Sequence, residues 1–125
     1  MRLAVLPGAL AVCRLSPDAG LADWMQAGPL ASITRTADEL SVVCAESAVP
    51  PEVRREAGWR ALRVDGPLAF SMTGVLAGLA VPLAEARIPI FAVSTFDTDW
   101  LLVKQDRLAE AVAALRQSGH EVGDA

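Results

Sequence analysis

The sequence predicts an α+β fold made of two copies of one small half. Three observations predict it: a hairpin pattern occurs twice, a strand and helix recur upstream of each copy, and a helical stretch recurs downstream of each.

The hairpins carry the most information. Residues 33–43 read Ile-Thr-Arg-Thr-Ala-Asp-Glu-Leu-Ser-Val-Val, and residues 93–103 read Val-Ser-Thr-Phe-Asp-Thr-Asp-Trp-Leu-Leu-Val. Each is an apolar strand, a turn rich in hydroxyls and acids, and a second apolar strand. Each follows a proline, Pro29 or Pro89, and the copies are offset by 60 residues.

Upstream of the first hairpin, Ala9 to Leu15 is apolar and suits a strand, which Ser16-Pro17-Asp18 breaks. Asp18 is placed to cap a short helix from about Ala19 to Gln26, with Trp24 on its inner face. Upstream of the second hairpin, Trp59, Ala61, Leu62 and Val64 make the strand, and Gly66-Pro67 ends it. A longer helix then runs from about Met72 to Ala86, and Pro82 inside it should kink it or open a local gap.

Downstream of the first hairpin, Pro50-Pro51 opens a short helical stretch that ends near Ala57-Gly58. In the second copy Asp106 to Gln117 is amphipathic: Leu108, Val112 and Leu115 recur at helical spacing, with Arg107, Glu110 and Arg116 outside. Gly119 supplies the stop, and His120-Glu121-Val122 can close the sheet. Strand–helix–strand–strand–helix–strand is the split βαβ, or ferredoxin-like, unit, with an antiparallel sheet and helices on one face. The first unit's closing strand is expected to be merged with, or replaced by, the strand around residues 59–64.

Composition narrows the function classes. With 53% hydrophobic and 21% charged residues the chain is foldable rather than disordered. The net charge is −4 and Arg54-Arg55 is the only adjacent basic pair, so no nucleic-acid surface is expected. No run approaches the ~18 apolar residues of a membrane helix. Pro7, Gly8 and Arg14 make the N-terminus too broken for a secretory signal. Cys13 and Cys44 lie in apolar runs and read as buried thiols in a reducing cytoplasm.

Two segments carry candidate chemistry. Asp65 to Val75 joins a strand to a helix; Gly66-Pro67 turns the chain and Ser71 is a plausible N-cap. A helix start offers unpaired N–H groups that suit a ligand carboxylate, and Gly74 and Gly78, one turn apart, leave a groove where a ligand or another backbone could approach. The competing reading is ordinary capping and close helix–sheet packing. The second segment, Ser94-Thr95-Phe96-Asp97-Thr98-Asp99-Trp100, sets two carboxylates beside hydroxyls, enough to hold an ammonium group or simply to make a turn. Two carboxylates are a thin cage for a metal, so none is expected, nor any cofactor. No hydrolase elbow, P-loop, dinucleotide fingerprint or zinc signature occurs. An enzyme would have to draw on Asp97, Asp99 or His120, and no catalytic residue is assigned.

Gly66-Pro67-Leu68 followed by Phe70-Ser71-Met72-Thr73-Gly74-Val75-Leu76, then Pro82-Leu83-Ala84-Glu85 and Ile88 to Asp99, resembles the ACT domain family. The similarity is to the aspartate-kinase-type branch that includes small bacterial tandem proteins and cytosolic arginine sensors. Ala11 to Leu15, Ser32 to Thr36 and Val42 to Cys44 extend it into the first half. The resemblance implies an N-terminal ACT-like half over 1–57 and a C-terminal ACT domain over 58–125, doubled by homodimerisation. It implies a free amino acid bound at an ACT–ACT interface by Ser71, Met72 and Val75 from the loop and Thr95, Phe96 and Asp99 from the strand and tip. Met72 stands where the arginine sensors place an acid, which favours an uncharged or apolar amino acid. The resemblance implies no catalysis, and regulation of any enzyme would be in trans. The alternative is an interaction module that binds no ligand.

Overall fold

The computed structural model describes residues 1–125. Its strands are β1 (Arg2–Val5), β2 (Leu10–Leu15), β3 (Ser32–Arg35), β4 (Leu40–Ala45), β5 (Arg54–Val64), β6 (Phe91–Ser94), β7 (Asp99–Lys104) and β8 (Glu121–Asp124), and its helices are α1 (Val75–Glu85) and α2 (Leu108–Gln117). The contacts divide the chain into a smaller unit, Pro7–Trp59, and a larger one, Met1–Leu6 with Arg60–Ala125.

In the smaller unit the strand order is β3-β4-β2-β5, antiparallel throughout, with β2 and β4 in register from Leu10↔Ala45 to Leu15↔Leu40. This is the ferredoxin-like order with its helices reduced to 3-10 turns at Asp23–Gln26 and Glu46–Ala48. The helix expected over 19–26 fails at its start. The Ser16 carbonyl takes the Ala19 N–H and the Ser16 hydroxyl takes that of Asp18, while Arg35 holds the Pro17 and Ala19 carbonyls. Asp18 therefore caps nothing; Met25, 1% exposed, is the buried residue of the turn, and the half-buried Trp24 packs against the same core as expected.

The helical stretch expected from Pro50 to Gly58 is instead a turn over 50–53, closed by Val53 N–H on the Pro50 carbonyl, followed by the beginning of β5. Arg54, Arg55 and Glu56 pair with Arg14, Cys13 and Val12, and the Arg55 guanidinium donates to the carbonyls of Val49, Pro50 and Val53. Cross-strand pairing overrides a local preference for helix. Gly58 is not a helix stop. With φ of 78° it lies in a bulge, where Leu10 pairs with Trp59 but Val12 pairs with Glu56.

In the larger unit the order is β6-β7-β5-β1-β8, with β1 antiparallel to β5 and parallel to β8. β5-α1-β6-β7-α2-β8 is the expected unit, and β1 is inserted between its first and last strands. The sequence division left residues 1–6 with the first half. Here they join the later residues, because Leu3 and Val5 are buried with Leu62, Val64 and Val122.

One core fills this unit: Leu79 and Leu83 of α1 and Ala111 and Leu115 of α2 pack with Leu101 and Val103. Truncating one such leucine to alanine should cost about 2–5 kcal/mol. α1 starts at Val75 rather than Met72, with Gly74 as its N-cap at φ 76° and no side-chain cap, so Ser71 does not serve as one. A Cβ at Gly74 or Gly78 would touch nothing within 4 Å, so neither glycine serves close packing. α2 ends as expected. Gly119, at φ 93°, gives its N–H to Arg116, and His120 gives its N–H to Leu115.

Candidate functional site

Two segments meet at one end of the larger unit: the loop from Asp65 to Gly74, between β5 and α1, and the tip from Thr95 to Thr98, between β6 and β7. The tip is fixed by its own hydroxyl. Thr95 N–H and Oγ1 both donate to the Thr98 carbonyl, at 2.9 and 3.0 Å, and Thr98 N–H returns to Thr95 Oγ1 at 3.4 Å.

Thr98 then ties the tip to β5. Its side chain is buried, and Oγ1 donates to the Val64 carbonyl at 2.6 Å. The loop is held in turn by Leu68 N–H, which donates to the Asp97 carbonyl at 2.7 Å. Gly66 permits this approach: a Cβ there would meet the Asp97 carbonyl oxygen at 2.9 Å and Thr98 Cβ at 3.1 Å. The Gly66–Pro67 peptide is cis.

Between loop and tip lies a cavity of about 220 Å³. Of the residues expected to bind, Met72, Val75, Thr95, Phe96 and Asp99 line it. Ser71 does not; it is exposed in the turn at Phe70–Ser71. The loop wall adds Leu68, Ala69 and Phe70, and the tip wall adds Ser94, Asp97 and Thr98. Ser94, which the sequence places in the hydroxyl-bearing segment but not among the binding residues, pairs with Asp99 across the hairpin.

Asp99 is half-buried, and its Oδ1 accepts from Ser94 Oγ at 2.7 Å. Asp97 and Asp99 are the charged side chains of the lining, which contains no lysine, arginine or histidine. Such a wall attracts cations. The rings of Phe70 and Phe96 meet edge-to-face at 4.8 Å, yet are 75% and 79% exposed. They link loop to tip through apolar surface that water still covers.

The family profile of the ACT domain matches residues 54–117. This chain belongs to the ACT domain family. A second profile, describing an N-terminal domain, matches residues 8–52. The ACT chain is 41% identical over 64 residues to the human cytosolic arginine sensor for mTORC1 subunit 1, a match covering 49% of this chain and 20% of that one. It thus spans about a fifth of the length of the curated relatives it matches.

A solved protein of Agrobacterium tumefaciens is 38% identical, with TM-score 0.93, over 99% of this chain and 93% of that one. The regulatory subunit of aspartate kinase from Thermus thermophilus, 15% identical, shares the fold at TM-score 0.62 over 94% of each chain.

Away from this site, Cys13 and Cys44 are buried in the smaller unit. Burial pushes the Cys44 thiol up to about 11, reinforced by the neighbouring Cys13, and burial also raises Cys13 against the opposing charge of Arg55. No helix is long and apolar enough to cross a membrane.

Proposed function

We propose that this ACT-domain protein is an amino-acid-binding regulatory protein of the cytoplasm that performs no catalysis. The ligand lies between the 65–74 loop and the 95–98 tip, closed over by an ACT domain of a second copy in a homodimer. Asp99 holds the α-ammonium as a charge-assisted hydrogen bond. The carboxylate meets backbone N–H groups where the loop enters α1. Met72, Val75, Thr95 and Phe96 complete the contacts, and Ser71 contributes from the turn only when a second copy closes the site. Binding tightens the domain pairing, and the altered assembly is what a regulated enzyme reads.

The observation carrying this reading is the cavity between two segments pinned by the Leu68–Asp97 hydrogen bond, with an acid on one wall and an incoming helix on the other. The family and the similarity to an arginine sensor support it.

Thermal unfolding of the full chain with each of the twenty amino acids tests it. One or a few should stabilise it, by about 2.7 kcal/mol at a hundredfold excess over the dissociation constant. No response to any would favour the second reading, a ligand-free interaction module. The exposure of Phe70 and Phe96 is the observation on its side.

A further inference from the structure

We infer that the ligand is an amino acid with an uncharged, apolar side chain, which lies against Leu68, Met72 and Val75 beside the Phe70–Phe96 pair. The inference rests on the amino-acid-binding reading and concerns which amino acid the site accepts.

The hydrogen bonds of the tip decide the matter. Ser94 Oγ donates to Asp99, Thr95 Oγ1 to the Thr98 carbonyl, and Thr98 Oγ1 to the Val64 carbonyl. Every hydroxyl of the tip wall therefore has its proton engaged within the protein. The lining side chains keep acceptors, the carboxylates of Asp97 and Asp99, and no free donor or cation.

An acidic ligand side chain would face two carboxylates with nothing to neutralise it. An amide side chain would leave its carbonyl oxygen without a side-chain donor, at the desolvation cost of a lost hydrogen bond. A basic side chain reaching away from the α-ammonium would meet Leu68, Met72 and Val75, which offer hydrocarbon and a thioether. Asp99 already holds the first cation, and Asp97 is exposed in the turn, where solvent screens its charge. Hydrocarbon is what the loop wall can bury, and about 220 Å³ leaves room for a side chain of leucine, isoleucine or methionine size.

Calorimetry on the full chain, with L-leucine, L-isoleucine and L-methionine against L-lysine, L-arginine, L-aspartate and L-glutamate, tests this. At least one of the first three should bind, and the charged four should bind at least about tenfold more weakly. A charged amino acid binding as tightly would overturn the side-chain assignment and leave amino-acid binding intact. Silence from all twenty amino acids would remove the parent reading and this inference together.

The variant Met72→Glu gives a second readout. Met72 is 48% exposed, so the fold should tolerate the change, which circular dichroism checks. The apolar ligand should lose about tenfold in affinity while lysine or arginine gains. An unchanged preference would place the ligand side chain elsewhere and sink the proposal.

Discussion

His120 Nε2 lies 2.9 Å from the carbonyl oxygen of Gly78, the α1 carbonyl whose partner four residues on is Pro82. Proline has no N–H to give, so the carbonyl is orphaned within the helix and the imidazole supplies the missing donor. A carbonyl can only accept, so Nε2 carries the hydrogen. Nδ1 is then an acceptor facing the N-terminal ammonium at 3.2 Å. The gap expected at Pro82 is thus filled by His120, three residues beyond the end of α2.

A double-mutant cycle measures this bond. His120→Ala should cost about 1 kcal/mol in urea unfolding. In a Pro82→Ala background residue 82 again has an N–H for Gly78, and the cost of losing His120 should shrink by about half or more. Equal costs in both backgrounds would show that the imidazole does not substitute for the missing bond.

Arg87 sits in the left-handed region at φ 60°, at the position after α1 that usually holds glycine. Arg87 N–H bonds to Ala84 and Ile88 N–H to Leu83, so the closing geometry is fixed around a residue that strains to adopt it. Arg87→Gly should raise stability by about 0.5–1 kcal/mol, read as a higher urea midpoint at unchanged slope. A fall in the midpoint would mean the Arg87 side chain contributes more than its backbone loses.

Thr98→Val keeps the shape of the only buried polar side chain and removes its proton. The Val64 carbonyl would lose its 2.6 Å donor, at about 1–3 kcal/mol. Since Thr98 fixes the tip to β5, the same variant should weaken ligand binding. Full stability with normal binding would show that water replaces the hydroxyl without consequence.

The repeat is legible because both tips use one turn chemistry, but its register is not. Thr36 N–H and Oγ1 reach the Glu39 carbonyl just as Thr95 reaches Thr98, so Thr36 matches Thr95 and the copies align one position short of the expected 60. The second strands carry continuous apolar runs, Val42 to Cys44 and Trp100 to Val103, that do not alternate and so do not separate neighbouring registers, whereas a threonine hydroxyl does. The hairpins, α2 and its glycine stop follow from local patterns.

The start of β5 and the placement of β1 do not. Both depend on strands far away in sequence, and Pro50-Pro51 with Glu52, Arg54 and Ala57 reads locally as helix. At the site, the residue types on each wall were legible. The Leu68–Asp97 contact that joins the walls depends on backbone atoms, which have no sequence signature.

Cys44 gives a pH dependence. Its thiol ionises near the ordinary 9.0 when unfolded but near 11 when folded, so the folded state resists losing that proton. Its contribution is complete below about pH 9 and is lost as pH rises toward 11. The loss should reach roughly 2–3 kcal/mol at most. Cys44→Val removes the group, and its stability should fall less steeply between those pH values than that of the unaltered chain. Parallel curves would mean that other groups set the alkaline decline.

Asp99 is where the proposed function is most exposed to test. Asp99→Asn removes the charge but keeps an oxygen that accepts from Ser94 Oγ, so the hairpin pairing at Ser94↔Asp99 should survive. Affinity for whichever amino acid stabilises the chain should drop by about 1.5–3 kcal/mol, as for a hydrogen bond to a charged group, with melting temperature in the absence of ligand little changed. Asp97→Asn is the companion measurement. Asp97 is exposed in the turn, where solvent screens its charge, and its loss should matter less. If Asp97→Asn costs more than Asp99→Asn, the ammonium sits at the turn rather than on the strand. If neither substitution changes calorimetric affinity, the acidic wall plays no part in holding the ligand.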